Sequence, residues 1–245
     1  NETLPEKEKT RLLPPTPYYA VLVADGDKVG KALDKLSQQA NGVARLQHFT
    51  QVLEKFANAA AKLVQKHHGH AVYTGGDDVL ALLPVETALE CTVALRKLFA
   101  EAMAGFDNWT EIGADQPTLS AGICIAHHTD PLQHSLDYAR KAETAAKQKH
   151  GRNAWCVILA KRSGAPLELG GKWEVAQAAP EAAPGKSGKK SATYADLEAL
   201  VKLYKEEVLP RGLPYDLREG GLALKDLTDE EAKKTGGEKD YSKLR

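Results

Sequence analysis

The sequence predicts an α+β fold of the ferredoxin-like, split βαβ kind, and three observations carry that prediction. A short apolar run, YYAVLVA at 18–24, breaks off at Asp25-Gly26-Asp27, as a buried strand does. A second break, Gly75-Gly76-Asp77-Asp78, separates two short apolar runs at 70–74 and 79–83 with turn chemistry, which is the signature of a hairpin. Between and after them lie stretches of helical periodicity, so the order reads β-α-β-β-α-β with one more helix and strand.

Each element has its own signal. Val43, Leu46, Phe49, Val52, Phe56, Ala60, Leu63 and Val64 recur at the spacing of a helix with one buried face, and Gly69 stops it. Pro84 ends the second hairpin strand, and 86–104 carries Ala88, Leu89, Val93, Leu95 and Leu98 at helical spacing. After a loop at 105–117 come a strand (TLSAGICIA, 118–126), a helix from Pro131 to His150 and a strand (AWCVILA, 154–160). The topology implies a mostly antiparallel sheet on one layer of helices with its other face open, the arrangement of polymerase and cyclase palms. Residues 1–17 read as an extension, 18–162 as the palm, 163–192 as a Gly/Ala/Pro/Lys/Ser-rich linker, and 193–245 as a partial helical module with one helix at 194–208.

Composition narrows the classes of function. The 245-residue chain balances 33 Lys and Arg against 33 Asp and Glu, so no basic face is advertised and any nucleic-acid contact is local; the Lys-rich stretch 186–190 reads as solvated linker. No apolar run reaches the roughly 18 residues of a membrane span, and the charged opening 1–11 lacks a signal-peptide core, so the expectation is a cytoplasmic protein with no membrane partner. Cys91, Cys124 and Cys156 lack metal-ligand spacing and read as buried reduced thiols. Trp109, Trp155 and Trp173 read as packing residues, and the histidines at 67, 68, 70, 127 and 128 as solvated rather than ligating.

The chemistry-bearing residues are acids at strand ends. In this topology the first strand neighbours the hairpin, which gathers Asp25, Asp77 and Asp78. Clustered carboxylates repel one another unless a cation neutralises them, and hard oxygen ligands suit Mg2+ or Mn2+. Two such metals on these three acids would serve in-line displacement at a nucleotide phosphate. Asp27 is a fourth acid within reach. Gly26 to Val29 is expected to bend around phosphate with its N–H groups donating, and Lys28 stands beside that turn. Gly75 and Gly76 are expected to supply positive φ and room for substrate. Ser120 reads equally as a contact to base or ribose and as a small polar strand residue.

The stretches 18–33, 70–84 and 118–159 resemble the large palm-containing subunit of type III CRISPR-Cas effector complexes, in particular the Cmr branch. The resemblance implies that Asp25, Asp77 and Asp78 are the catalytic acids, that ATP is the substrate and cyclic oligoadenylate the product, and that the partners are other subunits of a guide-RNA complex and, indirectly, guide and target RNA. The region is also similar to GGDEF diguanylate cyclases, whose alanine-rich helix, lysine and Gly-Arg-Asn correspond to Ala146-Lys147 and 151–153; this implies a phosphate contact for Lys147. A cyclic dinucleotide synthase is thus an alternative, although GGDD replaces GGDEF and the Asn-Asp pair that reads guanine is missing. A non-catalytic nucleotide-binding scaffold is another. The HD nuclease motif, the cysteine-rich zinc region and a first palm are not in this sequence.

Overall fold

The computed structural model describes residues 16–107, 109–162 and 164–173, with Ala199 besides. All but Ala199 belong to the first of two units, Asn1–Tyr194; the rest of the second, Ala195–Arg245, is outside the described residues. The expected extension, most of the linker and the helical module also fall outside them.

A six-stranded sheet in the order β2-β3-β1-β4-β5-β6 organises the unit. Its strands are β1 (Tyr18–Asp27), β2 (His70–Gly75), β3 (Asp78–Pro84), β4 (Thr118–His127), β5 (Ala154–Leu159) and β6 (Leu167–Lys172). β1 pairs antiparallel with β3 and with β4, and β4 runs parallel to β5. The helices are α1 (Val29–Ser37), α2 (Gly42–Lys66), α3 (Val85–Ala104), the single turn α4 (Trp109–Ile112) and α5 (Leu132–Gln148). The predicted α+β palm order is present.

Central β1 is apolar on both faces because both are roofed. Ala20, Leu22 and Ala24 share a face with Ala81, Leu83, Ala121 and Ile123, all nearly fully buried, on the side of α2 and α3. α2 presents Phe49, Leu53, Phe56, Ala60 and Val64 at helical spacing, and Phe56 meets Phe99 of α3 edge-on at 5.0 Å. Val21 on the opposite face packs with Cys124, Ala126 and Ala139 of α5. This corrects the expectation of one helical layer and an open face: an alanine-rich α5 lies so close that a Cβ on Gly122 would fall 2.0 Å from the Glu143 nitrogen.

Two further differences have local causes. β1 runs straight through Gly26 to Asp27, and the chain turns at Lys28 alone, left-handed at φ 65°, before α1 starts at Val29; the expected phosphate-cradling bend over Gly26 to Val29 is therefore a single-residue turn. β6 falls inside the stretch read as linker. Its two glycines and exposed leucines give it no strand pattern, and it is held instead by its ladder to β5 and by Trp155, which donates to the Lys172 carbonyl.

The three cysteines are free and buried, as expected, and burial pushes their thiols up to about 12, 11 and 12 for Cys91, Cys124 and Cys156. The three tryptophans are packed, with Trp109 donating to the Met103 carbonyl and Trp173 to that of Leu119. Among the described residues no helix is long and apolar enough to cross a membrane.

Candidate active site

The acids meet where β1 ends beside the β2–β3 hairpin. The ladder pairs Ala24 with Val79, so the next residues along, Asp25 and Asp78, emerge side by side on the α5 face. Asp77 sits in the tip, and its carboxylate lies against Gly26: a Cβ there would stand 2.5 Å from Asp77 Oδ2. Glycine at 26 is thus required by the acid packed on it. Gly76 has the expected positive φ, 61°, but Gly75 does not; it is a strand residue whose missing side chain makes room for the Tyr73 ring.

α5 supplies the counter-charge. Lys147 contacts Asp25 Oδ1, and its Nζ lies 2.7 Å from Oε1 of Glu143, one helical turn earlier. That oxygen is buried and receives no aligned hydrogen bond, so the contact is an ion pair only. Burial, reinforced by Arg152, pushes Lys147 down to about 8, while the two carboxylates it touches favour the ammonium form. Burial also raises Asp77 and Asp78, with Asp78 adding its charge to Asp77 and N–H groups of Asp77 and Gly26 opposing. Glu143 is raised by burial and then by Asp27 and Asp78.

Asp27 and Ser120, expected beside the ligand, are turned to one another. The Asp27 carboxylate, 2% exposed, accepts from Thr118 Oγ1 at 2.8 Å, Ser120 Oγ at 2.8 Å and the Asn153 N–H at 2.9 Å. It is an internal clamp holding the turn at 151–153, where three successive residues have positive φ, onto the sheet. Lys28 pairs with Asp115 at 2.7 Å and lines a cavity of about 430 Å³ with Lys31, Lys35 and Thr110, away from the carboxylates.

Sequence reasoning missed Glu143. Its signal was available: AETAAK places Glu143 and Lys147 four apart on a helix whose neighbouring face is alanine, so both stems lie toward the sheet.

The donor set fits a hard divalent cation. Asp25, Asp77, Asp78 and Glu143 put four carboxylates around one strand end, three of them with proton affinity raised, and the buried Glu143 Oε1 is met only by the Lys147 ammonium.

The family model for the second palm domain of Cas10/Cmr2 matches residues 18–156, more than half the chain. The chain belongs to the Cas10/Cmr2 family. It carries the palm of this type III CRISPR effector subunit, and a Cmr2 subunit of the Cmr system from Pyrococcus furiosus is 34% identical over 172 residues, covering 61% of this chain and 19% of the relative. The chain therefore spans less than a fifth of that relative's length. Among solved structures the chain is similar to a Csm1–Csm4 cassette in complex with cA4, 18% identical over 59% of this chain and 21% of that one, TM-score 0.45. The GGEEF domain of a Vibrio cholerae diguanylate cyclase is 22% identical over 60% of this chain and 85% of its own, TM-score 0.42.

Proposed function

We propose that this palm is a metal-dependent nucleotidyltransferase site that links ATP into cyclic oligoadenylate inside a guide-RNA effector complex, with target RNA as trigger. The observation that carries the reading is the convergence of Asp25, Asp77 and Asp78 at one strand end with the Lys147 cation against them. Asp25, Asp77 and Asp78 would hold Mg2+ or Mn2+, which when bound supplies charge neutralisation at the reacting phosphate and a more acidic attacking hydroxyl.

In the reaction, the 3′-oxygen of one ATP bonds to the α-phosphorus of another, the bond from that phosphorus to its bridging oxygen breaks, pyrophosphate leaves and the hydroxyl proton passes to solvent. Lys147 is placed to follow the negative charge as it moves onto the leaving group, a role its single mobile charge suits. Glu143 keeps the ammonium near the site when it leaves Asp25. Gly76 leaves the backbone bare beside the acids, while Gly26 makes room for the Asp77 carboxylate packed on it. Asp27, Ser120 and Lys28 act at one remove: the first two fix the turn at 151–153, and Lys28 ties α1 to Asp115.

The test is incubation of the chain, alone and inside a reconstituted guide-RNA complex, with labelled ATP or GTP and Mg2+ or Mn2+. Oligoadenylate that disappears in Asp77→Ala/Asp78→Ala is the expected result. A guanine dinucleotide would replace the reading with that of a GGDEF-type cyclase, and metal-dependent binding without product in either setting would leave a nucleotide-binding scaffold.

A further inference from the structure

Behind the palm's acidic site, at the corner where α5 hands over to β5, three side chains of different chemistry converge. His150 follows the end of α5, Cys156 lies in β5 and Glu168 in β6, and their ligand atoms all lie within 4.8 Å of one another. The ladder explains the meeting. Cys156 pairs with Gly170 and Ile158 with Glu168, so alternation sends Cys156 and Glu168 to one face of the sheet, the face that α5 covers. Gly170 then makes the third ligand possible: a Cβ there would stand 2.6 Å from His150 Nε2, so any other residue would expel the ring from its place over the strand.

We propose that His150, Cys156 and Glu168 form a binding site for a borderline-soft divalent cation of the Zn2+ class. It is distinct from the carboxylate site and independent of the nucleotide reading. The donor set decides the class: one thiolate, one imidazole and one carboxylate suit zinc or cobalt and are a poor match for Mg2+, which prefers oxygen. A tetrahedral ion with bonds of about 2.0–2.3 Å keeps its ligand atoms roughly 3.3–3.8 Å apart. The trio therefore closes around an ion by adjustments of about an ångström, which the His150 and Glu168 side chains can supply while Cys156 stays fixed in its strand.

Water takes the fourth position. Binding releases the Cys156 proton to solvent, and the cation replaces it on sulfur; no oxidant or reductant is needed. Lys149 Nζ sits 2.6 Å from Glu168 Oε1, which leaves the second carboxylate oxygen for the ion.

The consequence is mechanical. Lys172 of β6 already donates to the carbonyls of Gly151 and Arg152 at 2.7 and 2.5 Å, and Asn153 donates to Asp27. An ion joining His150, Cys156 and Glu168 would tie α5, β5 and β6 together directly beneath that turn, fixing the helix end that carries Lys147.

The experiment is a Co2+ titration of the 245-residue chain under reducing conditions with excess Mg2+, followed by visible absorption. The proposal expects one equivalent bound with a thiolate-to-cobalt charge-transfer band, kept in Asp77→Ala/Asp78→Ala and in Cys124→Ser. It expects the band to be lost in Cys156→Ser and His150→Ala. Glu168→Gln, a surface change that cannot unfold the chain, should keep the band while weakening Zn2+ on the order of tenfold or more. A thermal shift should agree: Zn2+ raises the Tm of the parent chain and not that of Cys156→Ser. Absence of the band in the parent chain, its survival in Cys156→Ser, or unchanged Zn2+ affinity in Glu168→Gln overturns the proposal.

Discussion

Asp25 and Asp27 stand two residues apart on the same face of one strand and do opposite work. Asp27 is roofed by Thr118, Ser120 and the Asn153 N–H, whereas Asp25 is only half covered and has the Lys147 ammonium as its partner. Asp27→Ala therefore strands three donors, Ser120 buried and Thr118 and the Asn153 N–H half-buried, and should destabilise the chain by about 1–3 kcal/mol, read as a lower urea midpoint at unchanged m. The site acids behave inversely. Asp77, Asp78 and Glu143 have folded-state pKa values above their ordinary ones, so the native state holds more protons than the unfolded chain between the two values. Stability from these groups is lost as pH rises through that window, and a cation should restore it. In chelator at neutral pH, Asp77→Asn/Asp78→Asn should melt roughly one to a few degrees above the parent, and Mn2+ should raise the parent's Tm but not the variant's. A variant that melts lower, with no Mn2+ response in the parent, would mean the acids are not strained. The Asp-Gly-Asp and Gly-Gly-Asp-Asp motifs were legible in the sequence because they interrupt apolar strands. Which of two acids on one face is free was not, since that depends on hydroxyls and a turn far along the chain.

At the level of elements, the site is made by the closeness of α5 to β4. Gly122 faces the helix backbone, with Glu143 N, Ala139 O and Ala142 C all inside 2.7 Å of where a Cβ would be. Backbone cannot yield as a side chain can. Gly122→Ala should destabilise by about 1–3 kcal/mol, and because α5 carries both Glu143 and Lys147, any product formation should drop by more than the stability loss alone accounts for. A Gly122→Ala chain with parent stability would show that α5 rides higher on the sheet than described. The strands and long helices were readable from periodicity. α1 was not, because only Val29, Ala32 and Leu36 mark its buried side and Gly30 weakens the pattern. β6 was not, because Leu167 and Leu169 are exposed and its order comes from β5 and Trp155 rather than from its own residues.

For the molecule as a whole, the question is where the palm stops. Apolar patterning ends it near 162, yet Trp173 is buried to 6% exposure and donates to the Leu119 carbonyl, reaching back across the sheet to β4. Trp155, the second residue of β5, donates its N–H to the Lys172 carbonyl. A folding unit must satisfy the polar ends of its largest side chains, so the unit should extend through Trp173. Removing 163–173 would uncover the β5 edge, take away the Lys172 carbonyl that accepts from the Trp155 indole and empty the Trp173 site, a change worth roughly 3–5 kcal/mol or more. Two pieces of the chain test this, one spanning 16–173 and the other 16–162. The longer piece should melt cooperatively with a sharp near-ultraviolet tryptophan signal, and the shorter should bind ANS and lose that signal. Equal, cooperative melts of the two would place the boundary at 162 and reduce β6 to a strand that decorates the palm without holding it.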